Sequence, residues 1–331
     1  MIISKTPLRL SFVGGGTDLP SFYRNNDFGS VLSTSIDSYI YVIIKKHTKV
    51  FDERIRLDYY NTELVNDIES IKNTIIKECL KHLEINDRIY ISTIADVPSS
   101  TGLGSSSSFA VGLLNALYKY KGLNVSQAFL AETAAYIEID ILNKPIGKQD
   151  QYAAAFGGLN NFIFNADDTV TINPIIIDSK KTKKLFNSII TFWTGITRPS
   201  EMILKEQEEK NTTENNIKSL IEMRKQVDVF KSILNDDEFS IDKFGAIINK
   251  GWQQKKGLAS NISNPKIDDY YFTACQHGAK GGKISGAGGG GFLSVISEKK
   301  NHSNINNALT KKGLIPYKFN IDLFGTSVYE L

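Results

Sequence analysis

The chain has 331 residues, 41% hydrophobic and 23% charged, with a formal charge of +3. That length is enough for two lobes, each able to bury a core. The composition is that of an ordinary globular protein, and so weak a positive charge argues against a nucleic-acid groove.

Two cysteines, Cys79 and Cys275, lie far apart, and the four histidines are scattered. Neither residue type has metal-ligand spacing, so both thiols are expected to be reduced and structural. The opening "MIISKTPLRL" lacks the apolar core of a signal peptide, and the strongly apolar "YIYVII" is too short to span a membrane. No membrane partner is expected, and the expected location is the cytoplasm.

In chain order, "LRLSFV" and "SYIYVIIKK" alternate as strands around the glycine turn Gly14 to Gly16. "DRIYISTIADV" predicts another strand, which leads into "PSSTGLGSSSS". Ala110, Leu113, Leu114 and Leu117 then recur at helical spacing among further apolar residues, so this helix is buried nearly all round. A second helix is predicted from Ser126, an N-cap residue, to about Leu142. "NADDTV" at 165–170 reads as the seam between two lobes, residues 1–167 and 168–331. "IITFW" predicts a strand, "TGITRPS" follows it, and two polar helices span about 199–235, with "EQEEKNTTENN" as solvated surface. One more helix runs through Trp252, followed by the glycine-rich "GGKISGAGGGG", a strand, a polar helix and a final short strand.

Three glycine stretches stand out. "STGLGSSSS" opens a buried helix, where unpaired backbone N–H groups and the helix dipole make a ready anion site. Gly102 and Gly104 let the backbone curl around phosphate oxygens, and the serine hydroxyls add donors or a metal ligand. It is not a Walker A loop, because no G-x-x-x-x-G-K-[ST] occurs. Gly286 to Gly291 contains a formal G-x-G-x-x-G, but the strand "FLSVIS" follows where a dinucleotide fingerprint needs a helix. That run is either a tight hairpin or a place of close approach to a ligand. In "FVGGGTDLP" the glycines shape a turn, and Asp18 sets a carboxylate at the mouth of a strand end.

Glu138 falls on one helix face with Ala128, Ala131, Ala135 and Leu142, a carboxylate in a small, apolar stripe. It needs a cation, either a lysine or arginine in an ion pair or a metal.

In order and spacing, "PLRLSFVGGGTDLP", "PSSTGLGSSSS" and "GGKISGAGGGG" together resemble the motif set of the GHMP small-molecule kinase superfamily. The resemblance covers nearly the whole chain. "FVGGGTDLPSFY", "TGITRPSEMIL" and "GWQQKKGL" look most like its bacterial heptose 7-phosphate kinases, with L-fucose kinases as cousins. This implies a two-lobed α+β fold, an N-terminal lobe like ribosomal protein S5 domain 2 and a ferredoxin-like C-terminal lobe. It also implies an ATP- and Mg²⁺-dependent kinase whose partners are ATP and a small sugar or sugar phosphate. The oligomeric state stays open, a homodimer included.

By the same resemblance, Ser100, Thr101, Gly102, Leu103, Gly104, Ser105, Ser106, Ser107 and Ser108 bind ATP, and Ser106 joins Glu138 at Mg²⁺. "GKQDQYAAAFGG" is similar to the galactokinase GxxDQ segment, so Asp150 faces the acceptor hydroxyl with Arg9 as the cation beside it. Gly16, Thr17, Asp18, Gly286, Ala287, Gly288 and Gly289 are expected to border the acceptor, and Arg198 to meet a distal phosphate through its planar fork. One departure is the "GGG" before Thr17, where galactokinase-like proteins carry "GEH". It argues against a galactokinase and leaves room for a larger sugar. A kinase for free fucose or galactose is the rival enzyme. A non-catalytic sugar sensor would show damage among Arg9, Ser106, Glu138 and Asp150, and all of these are present.

Overall fold

The computed structural model describes residues 1–198 and 201–331. β1 (Ile2–Val13) and β2 (Phe28–Lys46) form a long antiparallel pair, joined by the glycine turn and the short helix α1 (Pro20–Tyr23). Then come β3 (Ile55–Asp58), β4 (Thr62–Val65), α2 (Thr74–His82) and β5 (Ile89–Ala95). α3 (Ser105–Tyr120) lies against β1 and β2, with Ala110, Leu113, Leu114 and Leu117 fully buried. At about 1.5–3 kcal/mol for each large apolar side chain buried, this face anchors the loop that precedes it.

α4 (Gln127–Ala135) is capped by Ser126, whose hydroxyl accepts from the Phe129 N–H. It continues as a widened π-turn over Tyr136–Ile141, a local geometry frequent at functional sites. α5 (Gln149–Phe156), β6 (Leu159–Asn165) and β7 (Val170–Pro174) complete this part of the chain.

β2 serves two neighbours besides β1: residues 28–34 pair with β6, and residues 40–46 with β5. The expected seam at 165–170 is the turn of the β6–β7 hairpin, so a division at 167/168 would cut through one sheet. β7 is a half-exposed edge strand ending in proline, and its weak alternation made it look like a loop.

The second sheet begins after α6 (Ser179–Asn187) with β8 (Ile189–Trp193). α7 (Glu201–Lys210), α8 (Glu214–Asn235), α9 (Ile241–Lys256) and α10 (Pro265–Gln276) lead to β9 (Gly281–Ile284) and β10 (Phe292–Ile296). α11 (His302–Lys311) and β11 (Ile315–Tyr317) finish it in the spatial order β11-β8-β10-β9, all antiparallel. Strand, helices, strand, strand, helix, strand is the ferredoxin-like arrangement. The helix start predicted at about residue 199 lies outside the described residues.

β12 (Ser327–Glu330) then returns to the first sheet and pairs with β1. The lobes also share one continuous core, in which Phe12 of β1 meets Phe230 of α8 and Phe244 of α9 edge to face. Among the described residues, no helix is long and apolar enough to cross a membrane.

Candidate active site

The three glycine stretches converge on one cavity of about 400 Å³ between the lobes, within the usual range for small-molecule sites. The loop before α3 enters the helix through Gly104 in the left-handed region, with no side-chain cap, which leaves the first N–H groups free for an anion. Ser100, Gly102, Gly104, Ser105, Ser106 and Ser107 line the cavity. Thr101, Leu103 and Ser108 do not: all three are buried, and the Ser108 hydroxyl donates to the Pro7 carbonyl. They tie the loop down, and the Leu103 carbonyl accepts from the Arg9 N–H at 3.0 Å.

Opposite lies the hairpin turn 285–291 between β9 and β10. Gly102 and Gly286 meet backbone to backbone: a Cβ on Gly102 would lie 2.3 Å from the Ser285 carbonyl oxygen. The Phe292 N–H donates to the Thr101 carbonyl, which links the two loops across the lobes. Gly286, Ala287 and Gly288 border the cavity, whereas the Gly289 N–H is spent on the Ile262 carbonyl.

At the centre, Arg9 forks onto Asp150, Nε to Oδ1 and Nη2 to Oδ2, both at 2.8 Å. β1 delivers Arg9 and the first turn of α5 delivers Asp150, so the pairing depends on packing across 141 residues of chain. Gln149 Nε2 also donates to Asp150 Oδ1, and Ser11 holds Gln149 in turn.

Asp18 lies close by, with Oδ1 accepting from the Gly16 N–H. Its carboxyl is raised above the usual range, first by burial and then by the Asp150 charge, against the pull of the Gly16 N–H and Lys255. Thr17 is fully buried, and its hydroxyl is used on the Gly14 and Ser30 carbonyls, so it shapes the turn rather than facing the cavity.

Two buried lysines that sequence reasoning did not single out also line the cavity. Lys255, on the last turn of α9, donates to the Gly286 carbonyl. Burial first, then the Arg9 charge, lowers it to about 8, with Asp18 and Asp150 acting the other way. Lys283, on β9, donates to the Ser11 and Phe12 carbonyls at 3.0 and 3.2 Å and is held well below the usual lysine range by burial, Lys255 and Arg9.

Glu138 has no exposed surface. Its Oε1 takes the Ser106 hydroxyl at 2.8 Å and the Lys144 ammonium at 3.0 Å, and Oε2 takes Gln151 Nε2 at 2.8 Å. Of the two cations the sequence left open for Glu138, a basic side chain or a metal, a lysine is present, and Lys144 also reaches Ser106 at 3.1 Å. Among the described residues, no group of three or more Asp, Glu, His or Cys side chains could hold a metal. Ser106 and Glu138 offer hard oxygen donors, which suit Mg²⁺ if phosphate oxygens and water complete its shell. Arg198 is exposed and lines the cavity on the side of Glu201 and Leu204.

Comparison with known proteins decides the family. The profile of the GHMP kinases N terminal domain matches residues 72–158, and that of the GHMP kinases C terminal matches 230–314. The chain is 32% identical to D-glycero-alpha-D-manno-heptose 7-phosphate kinase of Campylobacter jejuni, covering 94% of each chain. The protein belongs to the GHMP kinases. It is also 26% identical to the galactokinase of Pyrococcus furiosus, over 98% of this chain and 96% of that one. The crystal structure of a D-glycero-D-manno-heptose 1-phosphate kinase from Bacteroides thetaiotaomicron superposes with a TM-score of 0.80 at 25% identity, covering 100% of this chain and 99% of that one.

The two-lobed α+β architecture is thus that of a GHMP kinase, and the protein is an enzyme of that class. Within it, Lys255 of "GWQQKKGL" has polar neighbours on both sides and Lys283 lies on the short strand of "GGKIS", so neither carried a sequence signal of its burial. Polar "EQEEKNTTENN" is not wholly solvated either, since Gln207, Asn211 and Asn216 are buried.

Proposed function

We propose that the protein phosphorylates the anomeric hydroxyl of D-glycero-D-manno-heptose 7-phosphate, using ATP and Mg²⁺ in the cytoplasm, to give the 1,7-bisphosphate for nucleotide-activated heptose synthesis. The observation that carries this reading is the Arg9–Asp150 fork facing the same cavity as the phosphate loop. The likeness to the heptose 7-phosphate kinase of Campylobacter jejuni supports the choice of acceptor.

Asp150 accepts the hydrogen bond of the acceptor hydroxyl and aims its oxygen. Arg9 grips both carboxylate oxygens, so the carboxylate cannot swivel as charge builds. The N–H groups at the start of α3 and the serines lining the loop hold the nucleotide phosphates. Lys255 adds positive charge where phosphoryl transfer needs it, a reaction that depends mainly on positioning and charge stabilisation, while Lys283 ties β9 to β1 through the Ser11 and Phe12 carbonyls. Mg²⁺, when bound through Ser106 and Glu138, supplies neutralisation of phosphate charge.

A coupled ADP-release assay across sugars and sugar phosphates tests the acceptor. Heptose 7-phosphate is expected to give the highest kcat/KM, and a preference for free fucose or galactose would replace this reading with that of a neutral-sugar kinase.

Arg198 reads the distal phosphate in this scheme. Charge-assisted hydrogen bonds are worth about 1.5–3 kcal/mol, so Arg198→Ala is expected to raise KM for the sugar phosphate roughly 10- to 100-fold with KM for ATP nearly unchanged. Equal losses toward phosphorylated and unphosphorylated sugars would remove Arg198 from phosphate recognition.

Lys255 gives a pH signature. With its pKa at about 8, an anion brought beside it raises that value again, so the bound state holds more protons than the free state above pH 8. ATP or sugar-phosphate binding there is expected to take up a fraction of a proton, measurable by calorimetry in buffers of different ionisation enthalpy. The uptake should fade toward pH 6 and vanish in Lys255→Met. Uptake that persists in this variant would assign the proton to another group.

A further inference from the structure

Gln207 of α7 is 1% exposed and lies at the cavity wall beside Gly16, although the segment reads as solvated. Its Nε2 is buried and has no hydrogen-bond partner among the described residues. An amide donor left unpaired in this way costs about 1–3 kcal/mol, a penalty that a native fold rarely carries without a purpose.

The surroundings make room for it. Gly16 sits at φ +96°, and a Cβ on it would lie 2.5 Å from Gln207 Nε2. Only a bare backbone at position 16 admits the carboxamide. The Gly16 N–H is a donor already turned onto Asp18, so it offers Gln207 Nε2 no acceptor. Leu204, one turn earlier on α7, lines the same cavity, as does Glu201 at the start of the helix, so α7 presents a carboxylate, an apolar side chain and an amide to it. The corner so formed lies at the Asp18 end of the site.

An amide carries both donors and an acceptor, and so does a hydroxyl. A phosphate is met by the cations already present, Arg198 and Lys255. The neutral glutamine therefore suits the polyol part of the acceptor.

We propose that Gln207 is a specificity-determining residue of the acceptor site, its carboxamide hydrogen-bonding one hydroxyl of the sugar. This rests on the sugar-kinase reading above, but not on which sugar is bound.

The test measures kcat/KM of the whole chain for its preferred acceptor and for the set of single-deoxy analogues of that acceptor, in the wild type and in Gln207→Met. The wild type is expected to lose roughly 10- to 100-fold on one analogue, because a site built around a hydroxyl rejects the analogue that lacks it. Gln207→Met should lose a similar factor on the parent sugar and little more on that one analogue, with Tm and KM for ATP unchanged. Equal further losses on every analogue, an unaffected Gln207→Met, or a wild type indifferent to every deoxygenation would overturn the assignment. If the methionine variant does not fold, Gln207→Asn takes its place, keeping the amide one methylene short. A preference for a neutral sugar would sink the heptose reading alone, since the same series then runs on that sugar. Failure to phosphorylate any sugar would overturn both.

Discussion

Replacing Asp150 by asparagine is expected to lower kcat by roughly 10²- to 10⁴-fold, the usual cost of losing a general base, while nucleotide binding persists. Asparagine fills the same space and still offers one oxygen to the Arg9 fork, so the geometry of β1 against α5 survives. What disappears is the negative charge facing the cavity and one of two acceptors for a guanidinium that is itself buried. Asp150 keeps a quarter of its side chain exposed, so solvent tempers the cost to stability, and a small fall in Tm is expected. A variant with more than about a tenth of wild-type turnover would take Asp150 out of the mechanism, because neither its charge nor its hold on the acceptor would then matter to the rate.

Glu138→Gln should raise the Mg²⁺ concentration for half-maximal activity about tenfold or more, because the charged oxygen facing Ser106 is lost. A glutamine there can keep its oxygen on Ser106 and Lys144 if its NH₂ faces Gln151 and the Gln151 amide turns over to accept through its oxygen. That oxygen has no partner among the described residues of the wild type, so the neighbouring contacts can be kept while the charge is lost. Ser106→Ala removes only a neutral oxygen, and its effect on the Mg²⁺ requirement should be smaller. The competing account is an ion pair with Lys144 that serves the fold alone. It predicts a lower Tm for Glu138→Gln with an unchanged Mg²⁺ titration, and that pattern would end the ligand assignment. Lys144→Met separates the two further, since a purely structural pair should lose stability from either side.

The elements that sequence reasoning found are those whose pattern is local. β1, β2 and β5 alternate, and α3 carries its apolar face openly, so their period alone reveals them. The glycine stretches were legible because helix N-termini and hairpin turns have local chemistry.

What stayed hidden depends on partners far along the chain. β3 and β4 are four residues each, too short for a period to register. α10 had a readable start, with Asn264 capping and Pro265 in first position, but its apolar residues are spread over a polar stretch. Gln207, Lys255 and Lys283 are polar residues turned inward, and nothing beside them in sequence marks that burial. The Arg9–Asp150 pairing came from resemblance to a known motif set, and the fold explains it by laying the first turn of α5 beside β1.

The return of β12 to β1 bears on how the molecule is assembled. The strand that carries Arg9 has β12 along one edge, and the hydroxyls of Thr6 and Thr326 meet at 2.8 Å across 320 residues of chain. A contact so distant closes late, because the entropy of bringing its ends together must first be offset by everything folded between them. Until then β1 presents an open edge able to pair with another chain, so refolding should be slow and most prone to aggregation before this edge is covered. The same hydrogen bonds that hold the first half of β1 in the native state thus also close off a route to self-association.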